Sequence, residues 1–263
     1  MLPRVNPIKT DIGEFLIFST NDYISRHLYL NGTWDSHILN VSRLIYEGIE
    51  TPLILDIGAN LGAYSIPIGH EIMGTGGQVH SFEPQRIVYY QLCGNIILNR
   101  LDNVFCYNVG IGEIEENIEI QVLDYHNSDN IGAFSLDEKI HTISKIIPRT
   151  SGEKQHVQII NLDSINLPIA PCLIKIDVEG MELNILKGGI KFLEFHNFPP
   201  ILIEIWGYEW YSLQRNEIVT FLKNLGYELI LIHAHDYIAQ HPLHSRGCLI
   251  NKDNNGNFFK INI

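Results

Sequence analysis

Apolar and polar positions follow two periods along this chain. Leu53-Ile-Leu-Asp-Ile is an almost unbroken apolar run of strand length, the pattern of a strand buried on both faces. Gln78–Phe82, Val104–Val109, Leu173–Ile176 and Ile201–Ile205 are runs of the same kind. Between them the period lengthens. Ala63–Met73, Arg86–Arg100 and Met181–Phe195 carry helical spacing, with Val88, Leu92 and Ile96 on one face of the second. A further helix over Leu213–Leu225 is ended by Gly226, and a strand over Glu228–Ile232 follows. Strands alternating with helices of this length predict an α/β domain with a mainly parallel sheet.

Two regions depart from that rhythm. Before residue 50 the pattern is mixed, with an apolar run at Phe15–Phe18 and an amphipathic helix over Ser36–Tyr46. In the middle, Asn117–Val122 and Val157–Leu162 alternate apolar with polar, as half-exposed strands do. The polar stretch from Asp124 to Ser151 between them predicts an insertion with antiparallel strands and a mobile loop, a usual place for a lid. Cys248–Ile250 is a candidate last strand before a polar tail, Asn251–Asn257.

Composition narrows the classes. Hydrophobic residues make up 45% of the 263 positions, too many for a disordered chain. Eighteen Lys and Arg against 30 Asp and Glu leave a formal net charge of −12, which argues against nucleic acid as the main partner. No apolar run approaches a membrane span, and the start, broken by Pro3 and Pro7, builds no signal-peptide core. Cys93, Cys106, Cys172 and Cys248 include no C-x-x-C pair, so thiols in a reducing cytoplasm are the expectation.

Three stretches carry candidate chemistry. In Leu53-Ile-Leu-Asp-Ile-Gly-Ala-Asn-Leu-Gly a strand ends at Asp56 and a turn with Gly58 and Gly62 leads into a helix. Such turns let a ligand approach backbone N–H groups. Asn60 stands where the dinucleotide fingerprint requires its second glycine, and the acid at Asp56 suits a cationic ligand group. In Val79-His-Ser-Phe-Glu-Pro the next strand ends at Glu83, a position whose carboxylate accepts ribose hydroxyls in nucleotide folds; a helix-dipole charge is the plainer alternative. In Leu173-Ile-Lys-Ile-Asp-Val-Glu, Lys175 interrupts a strand, and Asp177 and Glu179 crowd its end. Open α/β sheets bind ligands at that edge, although a buried ion pair would also account for Lys175.

In order and spacing these stretches resemble the FkbM family of S-adenosylmethionine-dependent methyltransferases. The chain has Asp56-Ile-Gly-Ala-Asn-Leu-Gly-Ala-Tyr-Ser65, Phe82-Glu-Pro84, Leu92-Cys-Gly-Asn95, Leu162-Asp163, and Ile174-Lys-Ile-Asp-Val-Glu-Gly-Met-Glu182 followed by Ile185-Leu-Lys-Gly188. The resemblance runs from about residue 50 to 205. It implies a class I (Rossmann-like) methyltransferase fold, with a seven-stranded, mainly parallel sheet, helices on both faces and a small antiparallel insertion. Residues 1–50 would be an N-terminal extension and 51–263 the methyltransferase domain, with the insertion at about 117–162. Asp56, Gly58, Asn60 and Gly62 would hold the methionine part of the donor, Glu83 its ribose and Asn108 its adenine edge. Asp35 would face the donor's amino group.

The implied reaction is O-methylation, with a sugar hydroxyl of a nucleotide sugar, glycan or glycolipid as acceptor, or else a polyketide or other natural-product hydroxyl. Asp177 and Glu204, at the ends of the fourth and fifth strands, would flank the acceptor pocket and are the candidate catalytic residues. Asp177, Glu179 and Glu204 would alternatively hold a divalent metal; base catalysis without metal is the preferred expectation. An NAD-dependent oxidoreductase and a non-catalytic nucleotide-binding protein are the competing classes. The residues leave the oligomeric state open. Two stretches stay outside this scheme. Asn197, Phe198, Pro199 and Pro200 resemble the N-P-P-Y of amino-methylating enzymes but precede the fifth strand, so they read as a loop. His233 and His235 are expected on one face of a strand end, with His241 and His244 as surface residues of the loop beyond; a metal site is the sharper alternative.

Overall fold

A computed structural model describes residues 2–244 and 248–262. The chain opens with a hairpin, β1 (Val5–Thr10) and β2 (Gly13–Phe18), then α1 (Tyr23–Asn31) and α2 (Ser36–Tyr46). The repeating part follows as β3 (Leu53–Ile57), α3 (Ser65–Ile72), β4 (Gln78–Phe82), α4 (Arg86–Leu98) and β5 (Val104–Tyr107). Next come β6 (Gly110–Ile111), β7 (Glu116–Leu123), the short α5 (Glu138–Ser144) and the long β8 (Thr150–Ile160). The repeat resumes with β9 (Leu173–Ile176), α6 (Glu182–Lys187), α7 (Ile190–Phe195), β10 (Ile201–Glu204), α8 (Ser212–Asn224) and β11 (Glu228–His233). The chain ends with β12 (Asp236–Gln240), β13 (Cys248–Lys252) and β14 (Phe258–Asn262).

Seven strands form the central sheet in the order β11-β12-β10-β9-β3-β4-β5. β12 runs antiparallel to both of its neighbours, whereas β10, β9, β3, β4 and β5 pair in parallel. That order, with one reversed strand next to the edge, is the class I methyltransferase fold. β6, β8 and β7 make a separate three-stranded sheet, and among the described residues β13 and β14 form a sheet of their own. Cys248–Ile250 is therefore a hairpin strand, and the sheet's last strand is the reversed β12, which the expected histidine loop had concealed.

The period of two divides the core. In β3, Ile54 packs in the cluster with α2 and α3, while Leu53, Leu55 and Ile57 pack with α6 and α8 on the other face. A third cluster, including Phe18, Val88, Phe134 and Val157, fastens the insertion to the body. The helix expected over Met181–Phe195 breaks at Gly188 and Gly189. A Cβ on Gly188 would lie 2.2 Å from the carbonyl oxygen of Gly112, so the close passage of that loop excludes a side chain.

Candidate active site

A cleft of about 410 Å³ opens along the carboxyl ends of the parallel strands. Its floor follows from strand parity. Asp56 shares the face of Ile54, and its register partner on β9 is Lys175. Lys175 and Asp177 are two apart, so they share a side. Glu204 ends β10 opposite Asp236, the first residue of β12. One face of one sheet thus collects several charged residues at its edge.

The glycine turn comes first. Gly58 has φ +85°, and a Cβ there would meet the Asp177 carbonyl oxygen at 1.8 Å, so β3 and β9 converge too closely for any side chain. Asn60 is also left-handed, at φ +51°. Its N–H donates to Glu83 Oε2 at 3.0 Å, and the Gln85 N–H donates to Oε1 at 2.8 Å. Glu83 is 5% exposed, and burial pushes its carboxyl up to about 7. Each of its oxygens retains a lone pair for a further donor. Gly58, Asn60 and Glu83 all line the cleft. From the insertion, Asn130, Gly132, Phe134 and Leu136 cover it. That segment is tied down: Ile131 N–H donates to Asp22 Oδ1 at 2.9 Å, and Gln85 Nε2 donates to the Ile131 carbonyl at 3.4 Å.

Asp56 lies beneath this turn and is fully buried. Ser65 Oγ, at the start of α3, donates to its Oδ2 at 2.5 Å, and Lys175 Nζ lies 3.4 Å from its Oδ1. The carboxylate lies under α3 and is not on the cleft wall, because its place in the strand alternation sends it there. Lys175 also reaches Asp177 Oδ2 at 3.0 Å and sits over the Tyr64 ring. Burial lowers the ammonium's proton affinity, but the charges of Asp177 and Asp56 outweigh it and hold Lys175 protonated.

Beyond Asp177 the character changes. Carboxylate oxygens of Asp177, Glu179 and Glu204 lie within 4.8 Å of one another. Glu204 Oε2 accepts from Trp206 Nε1 at 2.8 Å, and burial, then the charges of Asp177 and Glu179, pushes Glu204 up to about 10. Glu179 is raised well above the carboxylate range, first by burial and then by Asp177. Asp35, the left-handed residue preceding α2, faces the same space, and burial and then Asp177 push it up to about 6. His37, His233 and Asp236 complete this end. By contrast Glu182, the last acid of the family-like motif, is turned away: it accepts from Gly180 N–H at 3.0 Å and from the Tyr211 hydroxyl at 2.8 Å.

The cleft therefore gathers Asp35, Gly58, Asn60, Glu83, Asp177 and Glu204 from the expected residues. Three others stand apart. Asp56 is behind the wall. Gly62 packs under α4, where a Cβ would lie 3.0 Å from Leu92. Asn108 is exposed outside the cleft lining, and its Nδ2 donates to the carbonyls of Glu83 and Pro84 at 2.9 and 3.1 Å. The expectation for the histidines needs correcting. His233 ends β11, whereas His235 lies in the two-residue turn to β12 behind Ala234, which is at φ +45°. His233 packs on His37, whereas His235 Nδ1 accepts from the Gly207 N–H at 3.1 Å. His241 and His244 are buried, at 6% and 4% exposed. Sequence reasoning missed His37 and Asp236. The alternation in Asp236–Gln240 was the available signal, since it marks the strand that carries Asp236 to the edge.

Comparison with known proteins adds to this geometry. A family model described as the methyltransferase FkbM domain matches residues 56–229. No curated protein matches significantly. Among solved structures, a methyltransferase FkbM from Methylobacillus flagellatus is similar at 20% identity and TM-score 0.49, over 76% of this chain and 47% of that one. The chain thus spans about half the length of that relative. A precorrin-6y C5,15-methyltransferase from Geobacter metallireducens is similar at 14% identity and TM-score 0.43, over 86% and 82% of the two chains. TYW2 of M. jannaschii, solved with AdoMet, is similar at 14% identity and TM-score 0.39, over 91% and 84%.

Proposed function

The chain belongs to the family of FkbM-domain methyltransferases, and from that premise we propose that it methylates a hydroxyl of a sugar, in a nucleotide sugar, a glycan or a glycolipid, using S-adenosylmethionine. The observation that carries this reading is the continuity of the cleft, from the Glu83 turn at one end to Lys175-paired Asp177 at the other. The cleft volume falls in the usual range for small-ligand sites. The Glu83 carboxylate, buried and fixed by two amides, fits a ribose, and the Gly58–Asn60 turn fits a ligand pressed against backbone. Asp35 and Asp177 supply negative charge for a cationic donor.

The bound donor supplies an electrophilic methyl group on a sulfonium. The protein's own task is alignment, which contributes up to about 7–11 kcal/mol, and removal of one proton. Asp177 is the proposed base. Its Oδ2 lies 3.0 Å from Lys175 Nζ, which fixes its position, and it would take the hydroxyl proton as the acceptor oxygen bonds to the methyl carbon and the donor's carbon–sulfur bond breaks. Glu204, tied to Trp206, would hold a neighbouring acceptor hydroxyl. Beside this end Tyr208 and Trp210 stack with an interplanar angle of 8°, and Tyr208 is 50% exposed. A flat aromatic pair of this kind suits the apolar face of a sugar ring.

One feature favours a second reading. Phe134 and Leu136 also border an adjoining apolar hollow with Ile120, Ile147 and Pro148. That hollow suits the hydrocarbon part of a polyketide or other natural product. Among the described residues Cys93, Cys106, Cys172 and Cys248 form no disulfide, which supports a reducing, cytoplasmic setting. Among the described residues no helix is long and apolar enough to cross a membrane.

Calorimetry with S-adenosylmethionine, then a transfer screen over nucleotide sugars, glycans and polyketide alcohols, tests the proposal. Donor binding is expected, with turnover on a sugar. Asp177→Asn is expected to lower kcat about 10²–10⁴-fold. Undiminished turnover in that variant removes Asp177 as the base, and no donor binding removes the whole reading.

A further inference from the structure

We propose that His37, His233 and Asp236 form a binding site for a divalent transition-metal ion at the acceptor end of the cleft. They come from the first turn of α2, the last residue of β11 and the first residue of β12. One ligand atom from each lies within 4.8 Å of the other two. His37 Nε2 is 2.8 Å from Asp236 Oδ2, and the two imidazole centroids are 4.6 Å apart. All three side chains line the cleft, and the His37 and Asp236 side chains keep 30% and 24% of their surface, so an ion has access.

A plain ion pair explains His37 and Asp236 but not His233. His233 is exposed at the cleft rim, its ring packs against His37, and its ligand nitrogen lies within 4.8 Å of the ligand atoms of the other two residues. Two imidazoles in contact beside one carboxylate are unfavourable when both are charged, and a shared cation converts both lone pairs into ligands. Two nitrogens and one oxygen select a first-row ion such as Zn²⁺, Fe²⁺ or Mn²⁺ over Mg²⁺ or Ca²⁺. Three protein ligands leave positions open for acceptor oxygens. Asp236 is the register partner of Glu204, so an acceptor held by the ion would lie beside the acid proposed to hold an acceptor hydroxyl. This last point rests on the methyl-transfer reading; the ion site itself does not.

The test uses Co²⁺ as a spectroscopic probe of the full chain, with donor affinity measured in parallel by calorimetry. One equivalent of Co²⁺ is expected to bind and give visible absorption with imidazole ligands. His233→Ala and Asp236→Asn should each weaken binding by more than the roughly 10–100-fold that follows loss of an outer partner. Both variants should retain the wild-type circular dichroism spectrum and donor affinity. His235→Ala, two residues away and outside the set, should bind Co²⁺ as the wild type does. No Co²⁺ binding by the wild type overturns the site, as does binding that survives His233→Ala but is lost in Asp177→Asn. Co²⁺ binding without donor binding would leave the ion site standing while the methyl-transfer reading falls.

Discussion

At the proposed donor end each buried acid is met by a partner within the chain, whereas at the proposed acceptor end acids face one another. Asp56 has Ser65 and Lys175, and Glu83 has two backbone amides. Asp177, Glu179 and Glu204 share one small space, with Lys175 reaching only the first by a direct contact. The first arrangement pairs each acid within the chain, although Asp56 Oδ1 has only the ion-pair contact with Lys175. The second stores repulsion that a proton, an acceptor hydroxyl or a cation relieves. A site that binds one fixed donor gains from the first design, and a site that must draw a proton from its acceptor gains from the second.

The most damaging way to test this contrast is to remove the one residue serving both ends. Lys175→Met leaves Asp56 buried and uncompensated. Breaking a buried pair from one side costs about 3–5 kcal/mol, and urea unfolding should show a loss of that size. Adding Asp56→Asn should restore much of the stability, because the orphaned charge is then gone. If the single variant is as stable as the wild type, the donor end is not held by this pair.

A smaller effect concerns Glu83. Its carboxyl is pushed up to about 7, and Asp56 and Lys175 are the charged groups that act on it. Below that pH the free protein holds the proton, and ribose hydroxyls lose a charged acceptor. Donor binding should therefore tighten as pH rises, by about tenfold from pH 6 to pH 8 if only the carboxylate form binds. Glu83→Gln should bind more weakly and lose that slope. A slope of the same size in the variant would assign it to another group.

The two ends also differ in how far the sequence revealed them. Glu83, Asp177 and Glu204 were legible because an acid directly after a buried apolar run must lie at a sheet edge. Asp56 was legible as important but not as inward-facing. Ile57 follows it, and the alternation within β3 turns the carboxylate under α3. Within Lys175–Glu182 much of the charge turns out to be structural: Lys175 neutralises Asp56 and Asp177, and Glu182 fastens Gly180 to Tyr211. The cluster of His37, His233 and Asp236 was beyond reach. His37 and Asp236 are separated by 199 positions and meet only because β12 is reversed beside β10. Periodicity reports which face a residue takes within its own element, not which distant element arrives opposite.

The mildest test acts on the stored repulsion itself. Glu204 lies half-buried beside two other acids, and its proton affinity is raised to about 10. A carboxyl whose folded value exceeds its unfolded value contributes stability in acid. That contribution fades as pH rises from the ordinary carboxylate range near 4.5 through the folded value. Glu204→Gln removes the penalty and retains an oxygen to accept from Trp206 Nε1. The variant should be more stable than the wild type by about 1 kcal/mol at pH 8, with a smaller gain at pH 5. Its methyl transfer should fall, since the repulsion it relieves is what the acceptor would otherwise relieve. Thermal unfolding at the two pH values decides the point. A variant that is less stable at pH 8 would mean that Glu204 is compensated within the chain, and the two ends of the cleft would then follow one design.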